Sequence, residues 1–174
     1  VVWLKGIGCL MVFTGCTAFG MKLSSRLAER QRALSKLLEI LLNLKNRICS
    51  LGIPLHAAFE DIGTDKTVEL WSEIFLNCGQ IMKEQRLDAG SAWKKVISEN
   101  RGLLPLEQAD WDSINDFGEL LGKSDRLNQE SVLDMARESI ALLEKKAEEA
   151  MKTKGKLYRN LGALCGAAVV IVLI

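Results

Sequence analysis

KLSSRLAERQRALSKLLEILLNLKNRICSLG, residues 22–52, is the stretch whose reading decides the fold. It has apolar side chains at Leu27, Leu34, Leu37, Leu41, Leu44, Ile48 and Leu51, a series separated by threes and fours from Leu34 onward. That spacing winds a helix whose apolar seam has a heptad-like period, as in a coiled coil. Leu38 and Leu42 widen the face on one side, so this helix is expected to touch more than one neighbour. Gly52 and then Pro54 end it.

A second stretch keeps the same rhythm: Leu133, Ala136, Ile140, Leu143, Ala147 and Ala150, then Lys154, Leu157, Leu161 and Leu164. From Lys22 to Ile48 the first seam climbs 26 residues, and from Arg159 back to Leu133 the second covers 26, so each rises about 39 Å. Equal height and equal period predict an antiparallel pair, with Leu27 near Leu157 and Leu44 near Ile140. The plainer reading is that each helix contributes separately to a common core. No run alternates β-branched with polar residues, so the fold class expected is all-α.

Both ends of the chain avoid water. VVWLKGIGCLMVFTGCTAFGM, residues 1–21, has Lys5 as its one charge and is long enough to cross a hydrocarbon core of about 30 Å. Its glycines Gly6, Gly8, Gly15 and Gly20 would weaken a soluble helix but suit close packing between membrane helices. A cleaved signal peptide fits poorly, because no A-x-A site follows. Phe13 to Cys16 only loosely resembles a lipoprotein cleavage box, and the basic residues Lys22, Arg26, Arg30 and Arg32 just beyond it resist export. The other end, Leu161–Ile174, is fourteen uncharged residues, about 21 Å of helix, with Tyr158 and Arg159 at its approach. Length alone would suit a core helix. The missing polar stripe favours insertion, and both a full and a partial crossing fit that length.

Basic residues orient such segments. Residues 22–47 carry seven basic and two acidic residues, and residues 143–160 carry six basic and three acidic. Lys152, Lys154, Lys156 and Arg159 form the second juxtamembrane set beside Lys22, Arg26, Arg30 and Arg32. Both flanks therefore read as cytoplasmic and able to meet anionic lipid. The expected organisation is a span over 1–21, a cytoplasmic six-helix bundle over 22–157 and a second span over 158–174 in the cell membrane.

Between the long helices, Pro54 opens a helix through Asp61 that stops at Gly63. Thr64 is expected to cap one running through Trp71, Phe75 and Met82, Ser91 to cap one through Trp93 and Ile97, and Pro105 to open one ending at Gly122. Residues 48–142 hold nine basic and seventeen acidic residues, a net of −8, although the whole chain carries only +1. For Asp110, Asp112, Asp116 and Glu119 the plain reading is a solvated face. The sharper one is a docking surface for a basic cytoplasmic partner.

Little in the sequence suggests chemistry. There is no phosphate-binding loop, dinucleotide fingerprint or H-E-x-x-H, and the near-neutral total argues against a nucleic-acid binder. Five cysteines without a C-x-x-C pair, and with one histidine, make neither a zinc site nor a disulfide framework. His56 has Glu60 one turn later, but catalysis would need a positioned reacting partner as well. The carboxylates around Asp110 lack the glycine and final glutamate of a calcium loop. The expectation is no enzyme, no cofactor and no metal.

The order RLAERQRALSKLLEILLNLKNRI (26–48), GIPLHAAFEDI (52–62) and GKLYRNLGALCGAAVVIVLI (155–174) closely resembles the stage III sporulation protein AB family of endospore-forming bacteria. The resemblance covers nearly the whole chain and rests on order and spacing, with no catalytic motif. It implies a membrane component of the apparatus joining mother cell and forespore, placed on the mother-cell side. It also implies a helical domain similar to the inner-membrane platforms of type II secretion and type IV pilus systems. Its implied partners are a cytoplasmic motor ATPase and other membrane products of the sporulation operon. The rival is a membrane-anchored coiled-coil tether that self-associates through its seams into a homo-oligomer.

Overall fold

The computed structural model describes residues 2–123 and 128–173. Among them are six α-helices and no strand: α1 Val2–Lys45, α2 Leu55–Thr64, α3 Ser72–Glu84, α4 Ala89–Asn100, α5 Gln108–Lys123 and α6 Gln129–Leu173. A π-helical turn, Asn46–Ser50, closes α1, and a 3₁₀ turn, Lys66–Trp71, precedes α3. The boundary expected at residues 21 and 22 falls inside a helix, because nothing in Met21, Lys22 and Leu23 breaks one. Likewise α6 runs through residue 158 without interruption. The chain divides into two compact units, Val1–Gln31 with Lys145–Ile174, and Arg32–Glu144.

In the first unit, α1 and α6 pack antiparallel at backbone distance. A Cβ built on Gly20 would lie 2.5 Å from the Tyr158 carbonyl oxygen and 3.1 Å from Gly162 Cα. One on Gly162 would lie 2.9 Å from the Cys16 carbonyl oxygen, and one on Gly155 would lie 3.2 Å from Ser24 Oγ. Small residues allow this approach, and a larger one would have to displace backbone. Of the glycines expected at a helix interface, Gly20 is there, whereas Gly8 and Gly15 meet nothing within 4 Å.

In the second unit, the leucine seam of α1 is the core's spine. Leu34, Leu37, Leu41, Leu44 and Ile48 are buried, as are Leu133, Ile140 and Leu143 of α6. Phe59 of α2, Phe75 of α3, Trp93 of α4 and Phe117 of α5 form an aromatic centre, with ring centroids 5.1–5.9 Å apart. Two buried indoles satisfy their N–H groups on helix backbone: Trp71 Nε1 donates to the Ala33 carbonyl and Trp93 Nε1 to the Ile114 carbonyl, each at 2.9 Å. These bonds let large aromatic rings sit in the core without an orphaned donor.

Several punctuation marks act differently from their sequence reading. Gly63 does not stop α2, which continues to Thr64; its missing side chain instead admits α3, since a Cβ there would come within 2.6 Å of Leu76 Cα. Thr64 closes α2 by donating to the Asp61 carbonyl, and Asp65 opens the 3₁₀ turn by accepting from Thr67 N and Oγ1. Gly52, with φ 66°, supplies the left-handed turn that lets the chain leave α1. Pro105 lies three residues before α5 rather than in its first turn.

Ser91 is not the cap of α4 either. Asp88 is: its carboxylate accepts from Ser91 N at 3.0 Å and from the Ser91 hydroxyl at 2.6 Å. Those two bonds, the hydroxyl's first, hold the Asp88 carboxyl below its usual 3.8. A depressed carboxylate stabilises the folded state above the unfolded value and loses that contribution as pH falls through the folded one. Asp88→Ala is therefore expected to cost about 1 kcal/mol at neutral pH. Denaturant melts should show that difference shrinking below the ordinary carboxylate range, and a difference unchanged at low pH would contradict the cap.

Candidate membrane and docking surfaces

The membrane-facing candidate is the apolar half of α1. Ile7, Leu10, Met11, Phe19 and Met21 are all more than half exposed, Met11 at 71%. A strip of this kind on a soluble helix would be covered, because each such side chain gains about 1.5–3 kcal/mol on full burial. Among the described residues, α1 is the one helix long and apolar enough to cross a membrane. The second span expected over residues 158–174 is not shown. Its uncharged run is short, and a longer window takes in Lys154, Lys156 and Arg159. Lys5, expected to reach headgroups, lies outside the residues whose side chains are described.

The juxtamembrane basic residues do not form one uniform set. Lys22, Arg26, Arg32, Lys152, Lys154, Lys156 and Arg159 are exposed, with Lys152 paired to Glu148 at 2.6 Å. Arg30 is the exception, at 8% exposure, and so is held inside the fold instead of being offered to lipid. Its burial is invisible in a pattern where arginines recur beside lysines.

The acidic face is likewise corrected at one position. Asp112, Asp116 and Glu119 are exposed, but Asp110 is fully buried. Asp110 Oδ2 accepts from Glu107 N at 2.8 Å, which is the third-position arm of a capping box at the start of α5. A carboxylate spent on that bond cannot greet a partner. The surface left for docking is Asp112, Asp116 and Glu119, with Asp112 also accepting from the Gln108 side chain.

The two seams meet in the second unit, offset from the expected register. Lys45 Nζ lies 3.0 Å from Glu130 and 2.7 Å from Asp134, so the turn of α1 holding Leu44 faces the turn holding Leu133, not Ile140. Donating hydrogen bonds to the Asp134 carboxylate, and then to Glu130, raises the Lys45 ammonium above its usual 10.5. The contribution of this cluster is therefore complete at neutral pH and is lost as pH climbs from the ordinary 10.5 through that raised value. Equal seam heights suggested a register, but an ion pair 89 residues apart in sequence set it.

Where chemistry was sought, the geometry offers little. Among the described residues no group of three or more His, Cys, Asp and Glu side chains comes together as a metal site. Glu60, one turn from His56, lies 3.7 Å from Lys83. Cys78 is buried, which pushes its thiol up to about 12, the profile of a packing residue and not of a nucleophile.

Comparison with known proteins adds an independent line. The sequence model described as "Stage III sporulation protein AB (spore_III_AB)" matches residues 5–174. A curated relative, "Stage III sporulation protein AB" of Bacillus subtilis (strain 168), is 25% identical over 170 residues, which is 98% of this chain and 99% of the relative. A solved structure titled "Stage III sporulation protein AB (SpoIIIAB)" is similar with a TM-score of 0.63 and 26% identity, over 71% of this chain and 97% of that one.

Proposed function

We infer a function from one premise: the chain belongs to the stage III sporulation protein AB family. The family makes it a helical sporulation protein. The role we propose is a non-enzymatic platform subunit of the secretion-like apparatus between mother cell and forespore. Two spans, the apolar ends of α1 and α6, would anchor it in the cell membrane with residues 22–157 in the mother-cell cytoplasm. Other membrane proteins of the sporulation operon would be its lateral partners, and a motor ATPase its cytoplasmic one.

The observation that carries this reading is the uncovered apolar surface of α1 followed directly by exposed Lys22, Arg26 and Arg32. A helix so arranged is stable only with lipid or partner helices around it. The rival tether would need free seams for self-association, yet Leu34, Leu37, Leu41 and Leu44 are buried within one chain. That favours the platform.

The acidic surface supplies a direct test. Reversing Asp112, Asp116 and Glu119 to lysine, with Asp110 left intact to cap α5, should weaken binding of the motor ATPase by about tenfold or more at low salt. Sporulation efficiency should fall with it. Unchanged affinity and unchanged sporulation would remove these three residues from the docking surface.

A further inference from the structure

The α1 helix has a wider apolar face than its seam uses, and the surplus stays uncovered. Leu42 is 44% exposed, and Leu38, one turn earlier on the same face, lines an open groove of about 850 Å³. The opposite wall is α6, where Met135 and Ala141 line the groove. Leu142, seven residues from Met135 and on the same strip, is 57% exposed. Large apolar side chains at coiled-coil spacing on two adjacent helices, with a trough between them, form a vacant third position in a helical bundle.

The rim of the groove says what kind of helix fits. Glu130, Asp134 and Glu138 line it at four-residue intervals along α6. Lys45 meets Glu130 and Asp134 from the α1 side. Glu138 has no ion-pair partner among the described residues. Arg137, on the same wall, lies 3.9 Å from Asp134, and its Nε is buried with no hydrogen-bond acceptor among the described residues. The α1 wall belongs to the basic stretch 22–47, with seven basic and two acidic residues, so Glu138 is the carboxylate left for an incoming cation.

We propose that this groove seats a helix from a partner protein, amphipathic and basic, with leucine-type side chains toward Leu38, Met135 and Leu142 and lysine or arginine toward Glu138. The stretch from Glu130 to Leu142 rises about 18 Å, so the contact spans about three helical turns. A second copy of this chain is disfavoured as the occupant, since a symmetric contact would set Glu130, Asp134 and Glu138 against their own equivalents. The surface is distinct from the Asp112, Asp116 and Glu119 face on α5, and the proposal does not depend on the platform role, because a tether would present the same groove.

The test uses the full chain in uncharged detergent micelles and two synthetic labelled helical peptides. One carries leucines at coiled-coil spacing flanked by lysines, and the other carries glutamates in place of those lysines. Fluorescence anisotropy should show the lysine peptide binding the wild-type chain and not empty micelles. Glu138→Lys should weaken it about tenfold and strengthen the glutamate peptide by a similar factor. Met135→Glu combined with Leu142→Glu should abolish binding. All three positions are exposed, and unchanged circular dichroism would show that the fold survives. Equal binding of both peptides, equal affinity across the variants, or no binding at all would overturn the proposal. So would a sedimenting dimer that disappears in the Met135→Glu, Leu142→Glu chain, which would assign the groove to a second copy.

Discussion

Replacing Trp93 with alanine is expected to remove about 3–5 kcal/mol of stability, the largest effect of any single core substitution in the second unit. Trp93 is 1% exposed, and its ring meets those of Phe59, Phe75 and Phe117 at 5.9, 5.3 and 5.4 Å. It thus joins α2, α3 and α5 to α4. Gly118 of α5 lies against the same indole, where a Cβ would come within 2.6 Å of Cγ, so that wall of the space has no side chain to refill it. A loss of this size is a large fraction of the roughly 5–15 kcal/mol that holds an ordinary domain together. Denaturant melts of the full chain followed by far-ultraviolet circular dichroism should show the midpoint falling steeply. Trp93→Phe should recover a good part of the loss, since it keeps one aromatic ring in the centre while giving up the bond to Ile114 and the volume of the second ring. A Trp93→Ala midpoint within about 1 kcal/mol of wild type would mean that the four rings do not form one packed centre.

The second large effect is expected in the first unit, at the glycine contact between α1 and α6. Gly20→Leu would push a side chain into the Tyr158 carbonyl and the Gly162 backbone. Overpacking costs about 1–3 kcal/mol even where side chains can yield, and backbone cannot rotate away. The pairing can be read by trapping it. In a chain with its five native cysteines replaced, Ser24→Cys with Gly155→Cys should oxidise readily, because a Gly155 Cβ lies 3.2 Å from Ser24 Oγ. Adding Gly20→Leu or Gly162→Leu should cut the trapped fraction about tenfold. Trapping that is undiminished by either leucine would show that the helices do not meet at these glycines.

Sequence pattern made part of this legible and hid the rest for identifiable reasons. The leucine seam of α1 and its partner on α6 could be read because burial along a helix repeats with the helical period, and that period needs no knowledge of what lies opposite. The surplus width at Leu38 and Leu42 predicted a further neighbour, whereas Leu38 lines an open groove and Leu42 is 44% exposed. Roles that depend on a distant partner were not legible. Lys45 looks like one more surface lysine until Glu130 and Asp134 are brought to it, and Arg30 looks like its exposed neighbours until the fold closes over it. Asp110 shares its local pattern with Asp112 and Asp116, yet only Asp110 stands where a carboxylate reaches the Glu107 N–H. Gly63 reads as a helix stop because glycine often is one, whereas here its service is to a crossing helix that local sequence does not reveal. The Asp88 cap was within reach: an aspartate three residues before a serine at a helix start carries the same signal as the serine that was favoured.

The membrane hairpin is the claim on which the platform role depends, and labelling of cysteines in intact cells tests it most directly. Three chains are needed, each with a single cysteine: native Cys49, one added before Val1, and one added after Ile174. With a membrane-impermeant maleimide, the two added cysteines should react in intact cells, whereas Cys49 should react only after the membrane is opened. An added C-terminal cysteine that stays protected until lysis, while the N-terminal one reacts, would mean that α6 does not cross and would reduce the anchor to α1 alone. Labelling of Cys49 in intact cells would place the helical domain on the wrong side for a cytoplasmic motor and would contradict the platform outright.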